Sequence, residues 1–417
     1  MNSVENGKLS GAWTTAAEII IFLFALVGCL EKIHDLYYMV MVLDGAAAVI
    51  SFFFIVLWFF RQRGLHRDGA SSALAVLTLT VLASSIVRSS DVSRLLVALY
   101  ALIESWALAI AVMILGRRTK AVAGGVWTGV IFFAVLYSAL SLILGIEKGE
   151  VRFSGLSDQT NSLAVVAASA ALICLSLIGR RKNIILSVVV NIALVLSTAL
   201  YSYTLTKTDS RTSFFALVIA LAFFLVLQFL FSSDRFSLLL SVVIALLMIA
   251  AVVVFLLSSS RSEGRLTLSS LTSGRTTIWS ETLSRMEAED YLFGFGGNSS
   301  GMTALLEERG MDARLAEYLG EDHLMHNIYI QFLVEYGIVS AGAFIFLSVF
   351  LFVKGLAVMR RRASARPLLI TSLTLLLFFL VHSLAESSIY FIGGTEQFLF
   401  IFSSAVIYSL YRKEEGK

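Results

Sequence analysis

The sequence predicts an all-α polytopic membrane protein that crosses the bilayer about twelve times. Three observations lead there. Apolar residues make up 58% of the 417-residue chain and charged residues only 15%, where a soluble domain carries about a quarter charged. Mean hydropathy is +0.86. The apolar residues also gather in runs of about twenty with almost no charge inside, the length that spans a ~30 Å hydrocarbon core as a helix. The alternation over about ten residues that marks a transmembrane barrel is absent.

The runs cover 13–30, 37–60, 70–87, 95–115, 121–144, 160–178, 184–205, 212–231, 236–257, 328–353, 367–385 and 396–411. Alternate connections are basic: Arg61, Arg63 and Arg67; Arg117, Arg118 and Lys120; Arg180, Arg181 and Lys182; Arg235; Lys354, Arg360, Arg361, Arg362 and Arg366; Arg412, Lys413 and Lys417. The positive-inside rule makes those loops cytoplasmic. Both termini then lie inside, and the large loop 258–327 between the ninth and tenth helices lies outside. In a bacterium that is the periplasm or the cell exterior, so the chain reads as one multi-pass domain (1–417) of the inner membrane. Net charge is only +3, so no nucleic-acid partner is expected; the lipid bilayer is the solvent.

Smaller features follow the same reading. Cys29 and Cys174 sit inside apolar runs and predict packing rather than a disulfide. The polar N-terminus, with Lys8 its one basic residue before the first run, reads as the lead-in to a retained helix. Pro367 is the single proline, an unusually low number for membrane helices, which tolerate proline. Within the loop, 273–288 reads as an amphipathic helix lying on the membrane interface, with Ile278, Trp279, Thr282, Leu283 and Met286 along one side. Residues 305–318 read as a second helix, set off by Gly294-Phe295-Gly296-Gly297.

Once the inside charges are set aside, Arg88, Arg94, Arg152, Arg211, Arg261, Arg265 and Arg275 remain at the outer helix ends, where basic residues are disfavoured. Single residues of this kind snorkel or pair. Seven together point to an outward-facing anion site, for which the planar fork of arginine suits a diphosphate. Four stretches sharpen the reading: Arg152-Phe153-Ser154-Gly155-Leu156 with Asn161; Thr208-Asp209-Ser210-Arg211; Thr272-Ser273-Gly274-Arg275 with Trp279; and His326-Asn327 followed by Glu335, Tyr336 and Gly337.

In the order and spacing of these stretches the sequence resembles the O-antigen ligase and O-antigen polymerase family of bacterial membrane glycosyltransferases. Where the family pattern often has proline before the asparagine, this chain has Thr160. The resemblance implies a GT-C-like helical enzyme that inverts the anomeric carbon and uses no metal or other cofactor. It implies an oligosaccharide donor on undecaprenyl diphosphate and a sugar hydroxyl as acceptor, with a chain-length regulator as a further partner. On that basis His326, Arg211 and Arg275 are the expected catalytic residues. His326 would take the acceptor proton, a task suited to imidazole near neutral pH, while the arginines would stabilise the leaving diphosphate. Arg152, Asn161, Arg88, Arg265, Asn327 and Glu335 are expected to bind substrate.

Other groups carry alternative readings. Glu31, His34 and Asp35 could ligate a metal but read better as a solvated turn. Asp44 and Glu104 lie within apolar runs and read as helix–helix partners. His382 and Glu386, near the outer end of the eleventh run, are placed to line the same cavity. The 294–297 stretch could offer amides to phosphate, though a turn is the simpler reading. The acceptor separates two activities: a second carrier-linked oligosaccharide for a polymerase, the lipid A-core for a ligase. Residues 258–327 hold six arginines and no lysine against eleven acidic residues, which favours the polymerase, because a ligase meets a phosphate-rich core. A transporter or flippase is the alternative of another class; the chain shows no obvious internal repeat and puts its candidate residues at the outer edge, where a transporter tends to have repeats, broken helices and charges near the midplane.

Overall fold

The computed structural model describes residues 2–31, 33, 36–62, 69–88, 92–115, 118–150, 152–157, 159–179, 183–231, 235, 238–250, 275–296, 299–312, 325–387 and 394–414. Among these there is no strand. The helices are α1 (Asn2–Leu30), α2 (Tyr37–Gln62), α3 (Gly69–Arg88), α4 (Val92–Leu115), α5 (Thr119–Glu147), α6 (Thr160–Leu177), α7 (Ile184–Thr208), α8 (Arg211–Phe231) and α9 (Leu238–Ala250). Then come α10 (Arg275–Arg285), α11 (Ala288–Phe293), α12 (Ser299–Glu308), α13 (Ile328–Arg361), α14 (Arg366–His382) and α15 (Thr395–Glu414). A helix stands at each of the twelve apolar runs. In lipid a backbone must satisfy its own hydrogen bonds, so an apolar run of this length has no other stable form.

Among the described residues, nine of these helices are long and apolar enough to cross a membrane. Exposed Phe22, Phe52, Phe60, Leu140, Ile184 and Phe229 stud the outside of the bundle, a surface that suits lipid and not water. At the centre, α6 and α14 are buried nearly all round. α13 packs along α3, α6 along α7, α14 along α8, and α4 against both α1 and α15. Pro367 is the second residue of α14, where its missing N–H costs no hydrogen bond.

Among the described residues, three of the basic connections meet. Arg362 pairs with Glu414, and Lys413 Nζ lies 3.5 Å from Thr119 Oγ1, so the start of α5 and the ends of α13 and α15 meet at one end of the bundle. The opposite end, the loop end, carries α10–α12.

Two expectations for the loop are corrected. The amphipathic helix spans Arg275–Arg285, and its apolar side does not lie on a lipid interface. Ile278 and Met286 join Phe295, Met302, Leu306, Met311, Met325 and Val334 in a small core of the loop's own, with Trp279 and Leu283 packed against it. Burial among these neighbours consumes the apolar stripe that the sequence pattern offered to the membrane. The second helix begins earlier than expected and ends at Glu308, where Gly310 takes φ +84°; residues 313–318 of the expected helix lie outside the described residues.

A kink in α13 docks the loop on the bundle. Gly337 has φ 80° and ψ 175° inside the helix, which removes the following amides from the carbonyls of Val334 and Glu335. Those carbonyls are bonded instead by Phe295 N and Gly296 N, both at 2.8 Å. Ser84 Oγ of α3 donates to Glu335 O at 3.0 Å and also to Phe293 O. A Cβ at Gly337 would run into Leu292, and one at Gly294 (φ +69°) into Glu335. Only glycine allows both the dihedrals and the close approach of the two backbones.

Candidate functional site

The candidate site lies at the loop end, where α10, α13, α14 and the start of α6 converge on one carboxylate. Arg275 opens α10 and Trp279 stands four residues on, so both occupy one side of the helix. Arg275 Nη1 lies 2.9 Å from Glu386 Oε1 and also donates to Ala385 O. Trp279 Nε1 donates to Met325 O at 2.6 Å. A single turn of α10 thus holds the segment just after α14 and the residue just before His326.

His326 is fixed from both sides. Met325 N donates to Gln331 Oε1 at 2.7 Å. Asn327 caps α13 by accepting from Tyr329 N and Ile330 N at 3.0 and 3.1 Å, and its Nδ2 donates to Leu384 O at 2.9 Å. Ile328 N donates to Ser383 O at 3.0 Å. Between these ties His326 takes φ 48°, a left-handed conformation that a non-glycine residue holds at a cost of about 1–3 kcal/mol when its surroundings impose it. The imidazole is aimed accordingly. Nδ1 lies 3.4 Å from Glu386 Oε2, and Nε2 is buried with no hydrogen-bond partner among the described residues. With Nδ1–H donating to the carboxylate, Nε2 carries the free lone pair.

Glu386 is therefore the hub, since Asn161 Nδ2 also donates to its Oε1 at 2.6 Å. Its burial alone would raise the carboxyl pKa. The hydrogen bond from His326 and the charge of Arg275 outweigh burial, with smaller help from His382 and the His326 charge, and hold the group below the usual carboxylate range. The site keeps one fixed negative charge among cationic and polar donors.

A second chain of contacts ties in the start of α8. Ser210 Oγ donates to Ser213 Oγ at 3.1 Å, and Ser213 Oγ lies 3.1 Å from Nε2 of the fully buried His382. Arg211, the first residue of α8, follows Ser210 directly and is half-buried. The Arg152 stretch packs beside it: Phe153 lies against Gly145, Gly155 (φ +69°) against Ser141, and Phe153 N donates to Lys207 O at 3.0 Å. Thr160, in the place of the family's proline, is the first residue of α6 and accepts from Arg152 Nη2 at 3.4 Å.

The expected site residues thus divide. Arg275, His326 and Asn161 meet at Glu386, and Asn327 positions His326. Arg152 turns to Asp209, donating to its carbonyl at 3.4 Å with the carboxylate 3.8 Å away. Arg88 pairs with Glu289 at 3.2 Å and lies 4.0 Å from Asp290. Glu335 accepts from Gln331 Nε2 and gives its carbonyl to the loop. For Arg88 and Glu335 the structure shows ties that hold the loop. Arg265, Arg261, His34 and Asp35 lie outside the described residues. The central role of Glu386 was not read from the sequence; its signal was a carboxylate four residues after His382, at the end of a membrane helix.

Comparison with known proteins bears on this arrangement. Residues 196–345 match the model of a family described as O-antigen ligase. The matched stretch runs from within α7 to within α13 and so contains Arg211, Arg275, Trp279 and His326. It supports membership of the O-antigen ligase and polymerase family. A search of curated proteins finds no match to the chain.

Proposed function

From this family match we propose that the chain is an inverting, metal-independent glycosyltransferase of a bacterial inner membrane, working on the outer side. It moves an oligosaccharide from undecaprenyl diphosphate to a sugar hydroxyl. The observation that carries the reading is the meeting of Arg275, Asn161 and His326 on Glu386, with His326 Nε2 left unpartnered among the described residues.

In this reading Glu386 holds the Nδ1–H tautomer of His326. Nε2 takes the proton of the acceptor hydroxyl, whose oxygen attacks the anomeric carbon. The bond from that carbon to the diphosphate oxygen breaks on the opposite face, which inverts the centre and releases the carrier as its diphosphate. Arg211 and Arg275 stabilise the charge that grows there. The bonds from Arg275 to Glu386 and Ala385 engage Nη1, and a guanidinium has five N–H donors, so among the described residues its remaining N–H groups are left for phosphate oxygens.

The polymerase is the favoured branch, with a second carrier-linked oligosaccharide as acceptor and a chain-length regulator as partner. The acid excess of residues 258–327 would repel a phosphorylated lipid A-core. Deletion of the gene tests this directly. The expected result is loss of long surface glycans with single repeat units still attached; long glycans stranded on the carrier would assign the ligase instead. Chelators should leave turnover of the purified protein unchanged, and strict dependence on a divalent ion would bring back Glu31 and Asp35 as ligands.

A further inference from the structure

The residues that follow α14 form a rail of acceptors under the site. Ser383 O accepts from Ile328 N, Leu384 O from Asn327 Nδ2, and Ala385 O from Arg275. Carbonyls at a helix end have no partner within the helix. Here they hold Arg275 and the two residues just after His326. His382, the last residue of α14, extends this hold to α8 and Arg211.

The ring of His382 is fully buried and packs nearly flat on that of Phe378, with centroids 5.8 Å apart. Its Nε2 lies 3.1 Å from Ser213 Oγ, which accepts from Ser210 Oγ at 3.1 Å. Ser210 and Ser213 are themselves buried and bracket Arg211. Phe214 N donates to Ser210 O at 3.1 Å and closes this first turn of α8. Between Ser213 and Gln228 the helix carries no polar side chain, and at its far end Phe231 O lies 3.5 Å from Arg366 Nη1 of α14. Between apolar helix faces in a membrane the attraction is dispersion, which has no direction. A hydrogen bond has both a length and an angle to satisfy. The contact of Ser213 with His382 therefore fixes the height and rotation of α8 at the end that carries Arg211.

We propose that His382 is a positioning residue for the transfer reaction. Through Ser213 and Ser210 it registers Arg211 against Arg275, so that the two guanidiniums meet one diphosphate. The inference rests on the role given to both arginines under Proposed function. Being fully buried, His382 itself touches no substrate.

The test uses the full chain in phospholipid nanodiscs, with undecaprenyl diphosphate as the probe. His382→Phe keeps a ring packed on Phe378 and removes the bond to Ser213. Binding of the probe should weaken about tenfold, the worth of one misplaced charge-assisted hydrogen bond. His382→Gln offers Ser213 an amide in place of the ring nitrogen and should recover most of the affinity. In an Arg211→Ala background His382→Phe should cost nothing further, because a residue acting through Arg211 has nothing left to position. An equal loss in both backgrounds would mean a role confined to packing and would overturn the proposal, as would wild-type affinity in His382→Phe. Ser213→Ala removes the same bond with a smaller change and decides the matter by the same cycle if His382→Phe does not fold. Hydrogen exchange keeps the two readings apart. If the wild type binds no undecaprenyl diphosphate, the reading under Proposed function fails. Faster exchange within 211–216 in Ser213→Ala, with 326–331 unchanged, would still support His382 as the residue that holds α8. Unchanged exchange within 211–216 would overturn it.

Discussion

Arg275 and Glu386 face each other at 2.9 Å across the join between the loop helices and the membrane bundle, both largely buried. The pair fastens α10 to the end of α14, and the same carboxylate receives His326 and Asn161. Position and charge at the site are therefore set by one ion pair.

His326→Ala is expected to lower transfer by about 10²–10⁴-fold, the usual effect of losing a general base, with membrane insertion and abundance unchanged. Single-turnover assays on purified protein give the comparison. Retention of more than about a tenth of wild-type rate would remove His326 from the proton-transfer role, which typically contributes ~10²-fold or more.

Glu386→Gln should reduce transfer by about 10²-fold, since the neutral amide no longer fixes the His326 tautomer on which base catalysis depends. Glu386→Ala should in addition lower thermal stability, because removing one partner of a buried pair costs ~3–5 kcal/mol. Recovery of part of the rate by Glu386→Asp would separate a charge requirement from simple packing. A Gln variant with full activity would contradict the positioning role.

Stability should depend on pH with a sign set by Glu386. Its folded carboxyl titrates below the ordinary value of 4.5. The ion pair then contributes stability that is fully present above pH 4.5 and is lost as pH falls through the depressed folded value. The melting-temperature gap between wild type and Glu386→Gln should stay constant from neutral pH down to about pH 5 and shrink only below the unfolded carboxylate pKa. A gap that closes between pH 7 and 5 would show that the pair is not held ionised.

Arg275→Lys keeps the charge but cannot reproduce the guanidinium fork that reaches Ala385 O and Glu386 and that, in the proposed reaction, also holds phosphate. Transfer should drop about tenfold or more, the effect of ~1.4 kcal/mol on a barrier. The Arg211→Ala, Arg275→Ala double variant should lose binding of undecaprenyl diphosphate by filter or native mass spectrometric assay; unchanged binding would place the diphosphate elsewhere.

Gly337→Ala should loosen the loop without touching the site chemistry directly. The new Cβ would collide with Leu292, and the left-handed φ adds strain of about 1–3 kcal/mol. Faster proteolysis within residues 275–312 and a lower melting temperature are expected. A variant as protease-resistant as the wild type would show that the kink does not secure the loop.

The sequence alone determined where the membrane helices lie, because helix formation in lipid depends on composition over about twenty residues and on local hydrogen bonds. It also marked Arg211, Arg275 and His326 by their order and neighbours. Tertiary structure decided what those residues meet. Membrane helices apolar on every side carry no period that says which face packs against which neighbour, so nothing local showed that Glu386 would join Arg275, His326 and Asn161. The same limit hid a structural part played by Glu335-Tyr336-Gly337: the kink there frees two carbonyls for Phe295 and Gly296, a need that exists only once the loop has docked. The apolar stripe of α10 was legible as well, yet its partner was the loop's own core and not the bilayer, because burial takes whichever apolar surface the fold brings closest.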